Sequence, residues 1–518
     1  MIRIYNTLSK TKEEFKPVEE GKVGIYLCGP TVYKPSHIGH MVGPVIFDAV
    51  KRYLAYNGYD VKFVINITDV DDKIIAEANA RKMTSAALAD EMTADYWANL
   101  EAMNVKESVY AFPKVSDYIP HIIDFIQNLI DKGFAYESEG DVYYDVGKFS
   151  EYGKLSHRSV EQLTGEGGST AAKKHTPFDF ALWKSAKPNE PFWESPWGQG
   201  RPGWHIECSV MSSEILGETF DIHGCGLDLV FPHHENEVAQ SEARFGKPMC
   251  SFWMHNGLMQ ASSEVGKLGG RKTTDGRRQT AEGEPLTVSA NLASQEAGKI
   301  SKSKGASAFS DMLKQFAPET IRFFLLSTHY RRPIDFSIER IEEVGKGLET
   351  FYRFFKRFEK ITGQSFYQLD APGGRKDLEQ TTIGADLRNK FLEFMDDDFN
   401  TGGAVGVLFD FLRTLNKFID DAKLEDGDKS GSDKDALMKG ALILREVSMT
   451  LGLFREPPTV SAHDGDNELV GKLLTLLIEL RQTARKNKDF ATADKIRNDL
   501  LSFGVTLTDR PDGTEWSF

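Results

Sequence analysis

Cysteine is scarce in this chain, with four residues among 518. Four thiols are too few to cross-link a protein of this length, and their scarcity is typical of a reducing compartment, where cysteines serve as core residues, metal ligands or nucleophiles. Long apolar runs are also missing, since even the most apolar stretch, 469–480, contains Gly471 and Lys472. We therefore expect a protein without a membrane span.

The amino terminus lacks the long apolar region of a secretion signal and carries acidic residues that transit peptides avoid, so we expect a cytoplasmic protein. Positive charge is in deficit as well. The chain has 63 Lys and Arg against 77 Asp and Glu, for a formal net charge of −14. This charge argues against nonspecific coating of nucleic acid, but it is compatible with a local basic track on an acidic body.

The composition is that of a globular protein, with 40% hydrophobic and 27% charged residues. Its length predicts about three domains, at roughly 100–200 residues each. Hydrophobic spacing predicts strands at 22–28 and 61–69, each followed by a helix, and this alternation favours a parallel sheet. A similar pattern resumes at 204–257, after a stretch rich in Tyr, Phe, Gly and Pro. We expect an α/β fold whose single sheet is closed from two separated halves.

A pair of histidines follows the first predicted strand. His37 and His40 are three residues apart, so both side chains can face one point, and Gly39 removes a side chain between them. Ligands bind at the carboxyl ends of strands in open α/β sheets, and a helix amino terminus attracts phosphate. Taken alone, the pair fits two capping or surface histidines as well as it fits a triphosphate site.

Two lysines form a second candidate site. Lys299 and Lys302 are flanked by Ser301 and Ser303 and precede Gly305. Paired cations on a loop suit the charge that grows on a pyrophosphate leaving group. A Lys/Ser run is more often solvated surface. Its position after the histidine pair, however, resembles the two signature sequences of class I aminoacyl-tRNA synthetases, a family with a split nucleotide-binding domain.

Thiols, imidazoles and a carboxylate form a third set. Cys28 ends the first predicted strand, Cys208 lies in GWHIECS, and His233 and Glu237 are one helical turn apart in FPHHENE. Such side chains are acceptable zinc ligands, but spacing cannot bring three distant segments together, and scattered core cysteines explain them as well. His234 is three residues from Glu237, so periodicity leaves open which histidine faces the carboxylate.

Motifs along nearly the whole chain resemble the cysteinyl-tRNA synthetases, a family within class I. The motifs are YLCGPTVY, NITDVDDKI, DFALWK, SPWGQGRPGWHIECS, FPHHENE, KISKS, FMDDDFNT, ADKIRNDL, GVTLTD and GTEW. The resemblance implies a Rossmann-type catalytic domain split by an insertion, then a helical bundle and a small α+β module. The inferred parts, in chain order, are the first catalytic half (1–110), a connective domain (111–200), the second catalytic half (201–260), an unusual insertion (261–298), the KISKS loop with a stem-contact region (299–345), a helical bundle for tRNA binding (346–454) and an anticodon-binding module (467–518).

The resemblance also implies the roles of single residues. One Zn²⁺ per chain would be held by Cys28, Cys208, His233 and Glu237. The remaining site residues implied are catalytic His37, His40, Lys299 and Lys302, ATP-binding Gly39, Ser301, Ser303 and Asp228, and substrate-binding Thr68, Trp204 and His223. Asp228 could instead meet the substrate amino group.

The implied reaction activates L-cysteine with ATP and Mg²⁺ to cysteinyl-adenylate, then transfers the cysteinyl group to the 3′ terminal adenosine of tRNA(Cys). An apolar pocket separates cysteine from serine by only about 1–3 kcal/mol. Zinc prefers a soft thiolate to a neutral hydroxyl, so it would select the substrate thiol without an editing domain. We expect the enzyme to act as a monomer.

A local basic track lies near the carboxyl terminus. Between Arg481 and Arg497 there are six basic and two acidic residues. In isolation this is a solvated helical face. The resemblance favours contact with the unstacked bases of an anticodon loop, for which Trp516 is a suitable partner.

The chain departs from the family pattern at several places. Ile300 replaces a usual Met, Cys225 stands where a glycine is common, and Gly402 and Gly403 replace a usual proline. Cys225 is either a further sulfur near the zinc or a buried bystander. The largest departure is the segment 261–298, which we interpret as a flexible surface insertion, although its cations could also serve as a lid over phosphate or as a contact for tRNA.

Two other functions remain open at this stage. A related cysteine ligase transfers the same adenylate to an amino sugar, but it does not need the tail 467–518. A catalytically inactive, tRNA-binding paralogue is expected to lose His40, Lys302 or a zinc ligand, and all are present here.

Overall fold

The computed structural model describes residues 1–158, 173–188, 190–261, 307–375, 382–425, 431–458, 464–510 and 513–517. The expected catalytic and ATP-binding residues of the KISKS motif lie outside these ranges: Lys299, Ser301, Lys302 and Ser303. The same holds for nearly all of the insertion 261–298. The chain forms two compact units, Met1–Glu456 and Pro457–Phe518.

The first unit combines short strands with longer helices. Its strands are β1 (Arg3–Asn6), β2 (Thr11–Glu14), β3 (Lys22–Leu27), β4 (Asp60–Ile65), β5 (Ala135–Ser138), β6 (Asp141–Tyr144), β7 (Phe180–Ser185), β8 (Gly200–Pro202), β9 (Phe220–Gly226), β10 (Cys250–Asn256), β11 (Met259–Ala261) and β12 (Ile334–Phe336). Its helices are α1 (Gly39–Tyr56), α2 (Asp72–Arg81), α3 (Ser85–Ala102), α4 (Ile119–Asp131), α5 (Ile206–Leu216), α6 (Glu235–Phe245), α7 (Phe309–Leu313), α8 (Pro318–Leu326), α9 (Ile338–Thr362), α10 (Ala385–Asp396), α11 (Thr401–Asp421) and α12 (Gly431–Thr450).

The central sheet is parallel, with strand order β10-β9-β3-β4. β3 lies between β4, its neighbour in the first half of the chain, and β9 from the second half. The expectation of an α/β fold with one sheet closed from two separated segments is therefore confirmed. The strands are rich in apolar residues because helices cover both faces, as is usual for parallel sheets.

Alternate side chains of β3 enter two different cores. Ile25 and Leu27 pack in the cluster that contains the apolar side of α1 and the helices after residue 318. Tyr26 points to the opposite face and packs in the cluster that contains residues of α5 and α6. Successive side chains of a strand point to opposite faces, so a strand buried on both faces contributes to two cores. The carboxyl end of β3 is therefore held between the helices on either side of the sheet.

The connecting segment between the two halves forms an antiparallel sheet in the order β5-β6-β7-β8, accompanied by α4. Aromatic rings fill its interior, including Tyr144 stacked on Phe180 with centroids 4.9 Å apart. Beyond residue 318 the chain is mainly helical, through α8 to α12. The turn-rich sequence KLEDGDKSGSDKD predicts a surface linker, but helix α12 begins within it, at Gly431, so the end of this sequence is helical.

In its described residues, the second unit comprises the helices α13 (Asp464–Lys486) and α14 (Phe490–Ser502) and the antiparallel hairpin of β13 (Thr506–Arg510) and β14 (Gly513–Ser517). Leu474, Leu500 and Val505 form its small apolar core. Arg481 donates two hydrogen bonds to Asp509, 2.7 and 2.8 Å long, and so ties the first helix to the hairpin.

Throughout the described ranges, the helices are either too short or too polar to cross a membrane.

Candidate active site and metal centre

A cavity of about 410 Å³ opens at the carboxyl ends of the parallel strands. β3 has a neighbour from each half of the chain, and ligands of open α/β sheets bind where the strand order reverses in this way. The cavity wall brings together these predicted site residues: Cys28, His37, Gly39, His40, Thr68, Trp204, Cys208, Asp228 and His233.

The two signature histidines pack against each other at the start of α1. Their ring centroids are 3.9 Å apart. Nδ1 of His37 accepts a hydrogen bond from the Gly39 amide at 3.1 Å, and Nδ1 of His40 accepts one from the His37 amide at 3.0 Å. An amide can only donate, so the proton of each neutral ring is on Nε2. Both Nε2 atoms are therefore donors, as the binding of phosphate oxygens requires.

Four possible metal ligands meet beside this cavity although they come from three distant segments. Cys28 Sγ lies 3.8 Å from Cys208 Sγ and 3.8 Å from Glu237 Oε1. His233 Nε2 lies 3.7 Å from Cys208 Sγ and 3.0 Å from Glu237 Oε1. A tetrahedron with metal–sulfur bonds of about 2.3 Å and metal–nitrogen or metal–oxygen bonds of about 2.0 Å has edges of roughly 3.3–3.8 Å. The three separations that involve sulfur match these edges, and the His233–Glu237 separation is shorter, so the two thiols, the imidazole and the carboxylate fit a zinc ion after a small adjustment of that one contact.

A second set of ligand atoms overlaps the first, and it comprises Cys28, His223, His234 and Glu237. His234 Nε2 lies 3.2 Å from Cys28 Sγ, and His223 Nε2 lies 2.8 Å from Glu237 Oε2. Of the two histidines that periodicity left open, His233 is the closer to the carboxylate: its Nε2 lies 3.0 Å from Glu237 Oε1, against 3.9 Å for His234 Nε2. We favour the first set because it supplies two thiolates and leaves His223 and His234 to hydrogen-bond its ligands from outside, as the second shell of metal sites commonly does.

Burial keeps this cluster close to neutral. It raises the pKa of the Glu237 carboxyl to about 7 and raises the pKa of the Cys28 thiol well above its usual range. Burial also lowers the pKa of His223 to about 3. Thiols and carboxylates that resist ionisation next to unprotonated imidazoles suit a dication, because its charge would favour their ionised forms.

The predicted substrate-binding residues Trp204 and His223 lie at different depths relative to the cavity. The Trp204 ring stacks on the His233 ring at 4.4 Å between centroids and forms part of the cavity wall. His223 is fully buried behind Glu237, and it is not among the residues that line the cavity. Its contact with the substrate would therefore be indirect, through the carboxylate.

Sequence reasoning missed several polar residues of this region. Asn66 lines the cavity, and Glu207 is buried beneath Thr68, from which it accepts a hydrogen bond of 2.7 Å. His205 Nδ1 lies 2.9 Å from His233 Nδ1, and His255 Nε2 lies 2.8 Å from His234 Nδ1. Asn66 follows the end of β4, a position that could have marked it. The other three gave no signal, because their partners are distant in the chain.

Family models divide the chain in the same order as the motifs. The model of the tRNA synthetases class I (C) catalytic domain matches residues 14–267 and 288–346, and a DALR domain matches 390–455. A cysteinyl-tRNA ligase anticodon binding domain matches 475–516. Among solved structures, the chain resembles the Mycobacterium tuberculosis methionyl-tRNA synthetase in complex with methionyl-adenylate, with a TM-score of 0.57, 15% identity and coverage of 88% of this chain and 94% of that one. The fold is that of a class I aminoacyl-tRNA synthetase.

Curated relatives identify the family within this class. The chain is 43% identical to the cysteine–tRNA ligase of Syntrophotalea carbinolica and 42% identical to that of Geobacter metallireducens, and each alignment covers 99% of both chains. The chain belongs to the cysteine–tRNA ligase family. It is therefore an enzyme of the ligase class, and the resemblance noted from its motifs is confirmed.

Proposed function

We propose that the chain activates L-cysteine with ATP to cysteinyl-adenylate and transfers the cysteinyl group to the 3′ terminal adenosine of tRNA(Cys). The observation that carries this proposal is the position of the thiol-containing cluster. Cys28, Cys208 and His233 lie in the wall of the same cavity as His37 and His40. The proposed thiol site and the proposed phosphate site therefore lie in one cavity, where bound cysteine and ATP would be next to each other.

Zinc would be held by Cys28, Cys208, His233 and Glu237, one ion per chain. When bound, zinc favours the ionised form of a thiol and binds sulfur more strongly than a hydroxyl, which distinguishes cysteine from serine. Trp204 closes the cavity beside His233 and limits the space around the amino acid side chain. Selection at the binding step makes a separate editing site unnecessary.

The first reaction step is an in-line attack of the cysteine carboxylate on the α-phosphorus of ATP. His37 and His40 donate hydrogen bonds to phosphate oxygens from Nε2. Lys299 and Lys302 neutralise the charge that develops on pyrophosphate, together with a Mg²⁺ ion that accompanies ATP. Gly39, Ser301, Ser303 and Asp228 bind the nucleotide. No side chain acts as a nucleophile, so catalysis is positioning and charge stabilisation.

In the second step the terminal hydroxyl of the tRNA attacks the acyl carbon of the adenylate. The helical region 346–454 and the unit at 467–518 would bind the tRNA, and the latter would read the anticodon. The match of residues 475–516 to an anticodon binding domain argues against a cysteine ligase that acts on an amino sugar. Intact signature residues argue against an inactive tRNA-binding paralogue. We propose a monomer, since every ligand of the candidate zinc site comes from one chain.

Two assays test this function. The zinc-loaded chain should catalyse ATP–pyrophosphate exchange that depends on cysteine, and it should charge tRNA(Cys) with cysteine. Exchange without charging would favour the amino-sugar ligase, and tRNA binding without exchange would favour the inactive paralogue. Exchange that proceeds equally well with serine would contradict the selective role of the metal.

A further inference from the structure

The cavity contains a chain of hydrogen bonds whose direction is set by the backbone. It begins at the amide of Gly29, which donates to Asn66 Oδ1 at 2.7 Å. Gly29 approaches this segment so closely that an added Cβ would lie 1.6 Å from the Asn66 carbonyl oxygen. Only glycine therefore allows the amide to reach the Asn66 side chain.

The Gly29 amide determines how the Asn66 side chain is oriented. An amide N–H can only donate, so the atom of Asn66 that faces it must be the oxygen. The NH₂ group of Asn66 then faces Thr68, with Nδ2 lying 3.4 Å from the Thr68 hydroxyl oxygen. Asn66 is 1% exposed and Thr68 is 2% exposed, so water does not compete for these contacts.

Thr68 completes the chain by donating its hydroxyl proton to Glu207 Oε2 at 2.7 Å. Glu207 is 1% exposed, and the neutral and the ionised carboxyl both offer an oxygen that can accept this proton. The Thr68 oxygen accepts from Asn66 and donates to Glu207. It thus retains one lone pair for a group in the cavity, and it presents no proton there.

A hydroxyl held in this way recognises a hydrogen-bond donor and not an acceptor. The activated amino acid carries one strong donor, its α-ammonium group, and two acceptors, its carboxylate oxygens. Thr68 lies in the same wall as Cys28 and Cys208, which place the substrate side chain. An ammonium group is only two bonds from the carbon that carries the thiol, so it has to lie near these residues.

We propose that Asn66 and Glu207 are positioning residues that hold the Thr68 hydroxyl as an acceptor for the α-ammonium group of the bound amino acid. This proposal rests on the proposed function, since it assumes cysteine in the cavity. It assigns a role to two buried residues that belong to neither set of candidate metal ligands. It also gives a role to the buried carboxyl of Glu207, which directly precedes Cys208 in the chain. This carboxyl orients Thr68, which would contact the substrate.

The test compares cysteine with 3-mercaptopropionate, which is cysteine without its ammonium group. In Glu207→Leu the Thr68 hydroxyl loses its acceptor and can turn its proton towards the cavity. The KM for cysteine in the exchange assay should then rise roughly 10- to 100-fold, the range of one hydrogen bond to a charged group. The inhibition constant of 3-mercaptopropionate should stay unchanged, as should the zinc content. Glu207→Gln keeps an acceptor oxygen and should restore most of the affinity for cysteine.

Two further single variants keep the test decisive if Glu207→Leu loses zinc or fails to fold, and a double variant applies if it folds. Asn66→Asp still accepts from Gly29 but cannot donate to Thr68, and Thr68→Val removes the acceptor. Both variants should weaken the binding of cysteine and leave the binding of 3-mercaptopropionate unchanged. Combining Thr68→Val with Glu207→Leu should add nothing to Thr68→Val alone. Parallel losses for cysteine and 3-mercaptopropionate, or multiplied effects in the double variant, would overturn the proposal. A wild-type chain without cysteine-dependent exchange would instead refute the proposed function.

Discussion

Arg322 of α8 donates a hydrogen bond to Asp48 of α1, and neither side chain is more than 1% exposed. The guanidinium also donates to the carbonyl oxygens of Met103 and Leu451, both at 2.8 Å. α1 begins at the signature histidines, so this ion pair fastens the helix that follows them to the helical region.

Replacing Arg322 with Leu should destabilise the first unit by about 3 kcal/mol, because the buried Asp48 carboxylate would lose one of its two cationic partners and keep Arg52. Thermal or urea unfolding of the full chain measures this loss. Lys247→Ala is the matched control. Its ion pair with Glu218 has both side chains about half exposed, so its removal should change stability by less than about 1 kcal/mol. Equal effects of the two variants would show that the buried pair is dispensable.

Cys208→Ser should lower the zinc content of the purified chain well below one ion and should abolish the preference for cysteine over serine in the exchange assay. A hydroxyl is a poor zinc ligand, and the remaining three donors would not hold the metal as tightly. Cys250→Ser is the control, since Cys250 is buried in β10 and is absent from both ligand sets. A Cys208→Ser protein with full zinc and intact selectivity would refute the ligand assignment.

Lys302→Ala should slow adenylate formation by roughly 100-fold or more while leaving the affinity for cysteine unchanged. The lysine is expected to contact pyrophosphate only as its charge develops, so its loss affects the transition state and not the bound substrate. Pre-steady-state formation of adenylate and equilibrium binding of cysteine separate the two effects. Lys304→Ala removes an equal charge directly after the KISKS motif and should have little effect. Comparable losses in the two variants would show that total positive charge matters and the position of Lys302 does not.

Removal of residues 457–518 should greatly reduce charging of tRNA(Cys) and spare pyrophosphate exchange. These residues form a compact unit of their own, with a separate apolar core, so the first unit should keep its fold. Both activities are measured on the same preparation. If exchange falls as far as charging, the terminal unit supports the catalytic fold and does not serve the tRNA alone.

The stability of the first unit should fall as the pH drops from 7 to 5, partly through His329. Burial lowers its pKa to about 4, although the Asp398 carboxylate opposes this and the cations Arg331, Lys12 and Arg332 reinforce it. At a pH between the pKa of His329 in the unfolded chain, near 6.5, and its pKa in the folded chain, the unfolded chain binds a proton that the folded chain does not. Acid therefore favours unfolding, by about 2 kcal/mol at pH 5. His329→Gln should show a smaller shift of the unfolding midpoint between pH 7 and 5. An unchanged shift would exclude His329 as the cause.

The layout of the catalytic sheet could be predicted from the sequence because its strands and helices have distinct hydrophobic periods. β3, α1, β4 and α2 each follow from local spacing, and the second half repeats the alternation. The start of α12 could not be predicted in this way. Its first turn, GSDK, has the composition of a linker, and the helix is stabilised by apolar residues farther along, such as Leu437 and Leu444.

The candidate metal site illustrates a different limit. Cys28 and Cys208 are 180 residues apart, and no spacing rule brings their sulfur atoms to 3.8 Å. Only the resemblance to a family could propose this pairing. The burial of His223 behind Glu237 and the contact between Thr68 and Glu207 could be predicted neither from spacing nor from the family resemblance. Both depend on how the ends of β4 and β9 meet α5 and α6.

The position of β3 between β4 and β9 has a consequence for synthesis on the ribosome. Cys28 emerges long before Cys208, and at roughly 5–20 residues per second the interval of 180 residues lasts about 10–40 s. During this time the edge of β3 that later pairs with β9 is unpaired, and Cys28 lacks the second thiol, Cys208. The nascent chain is therefore most open to aggregation and oxidation before α5 and β9 emerge, and the proposed zinc site is complete only after Glu237 of α6 has emerged.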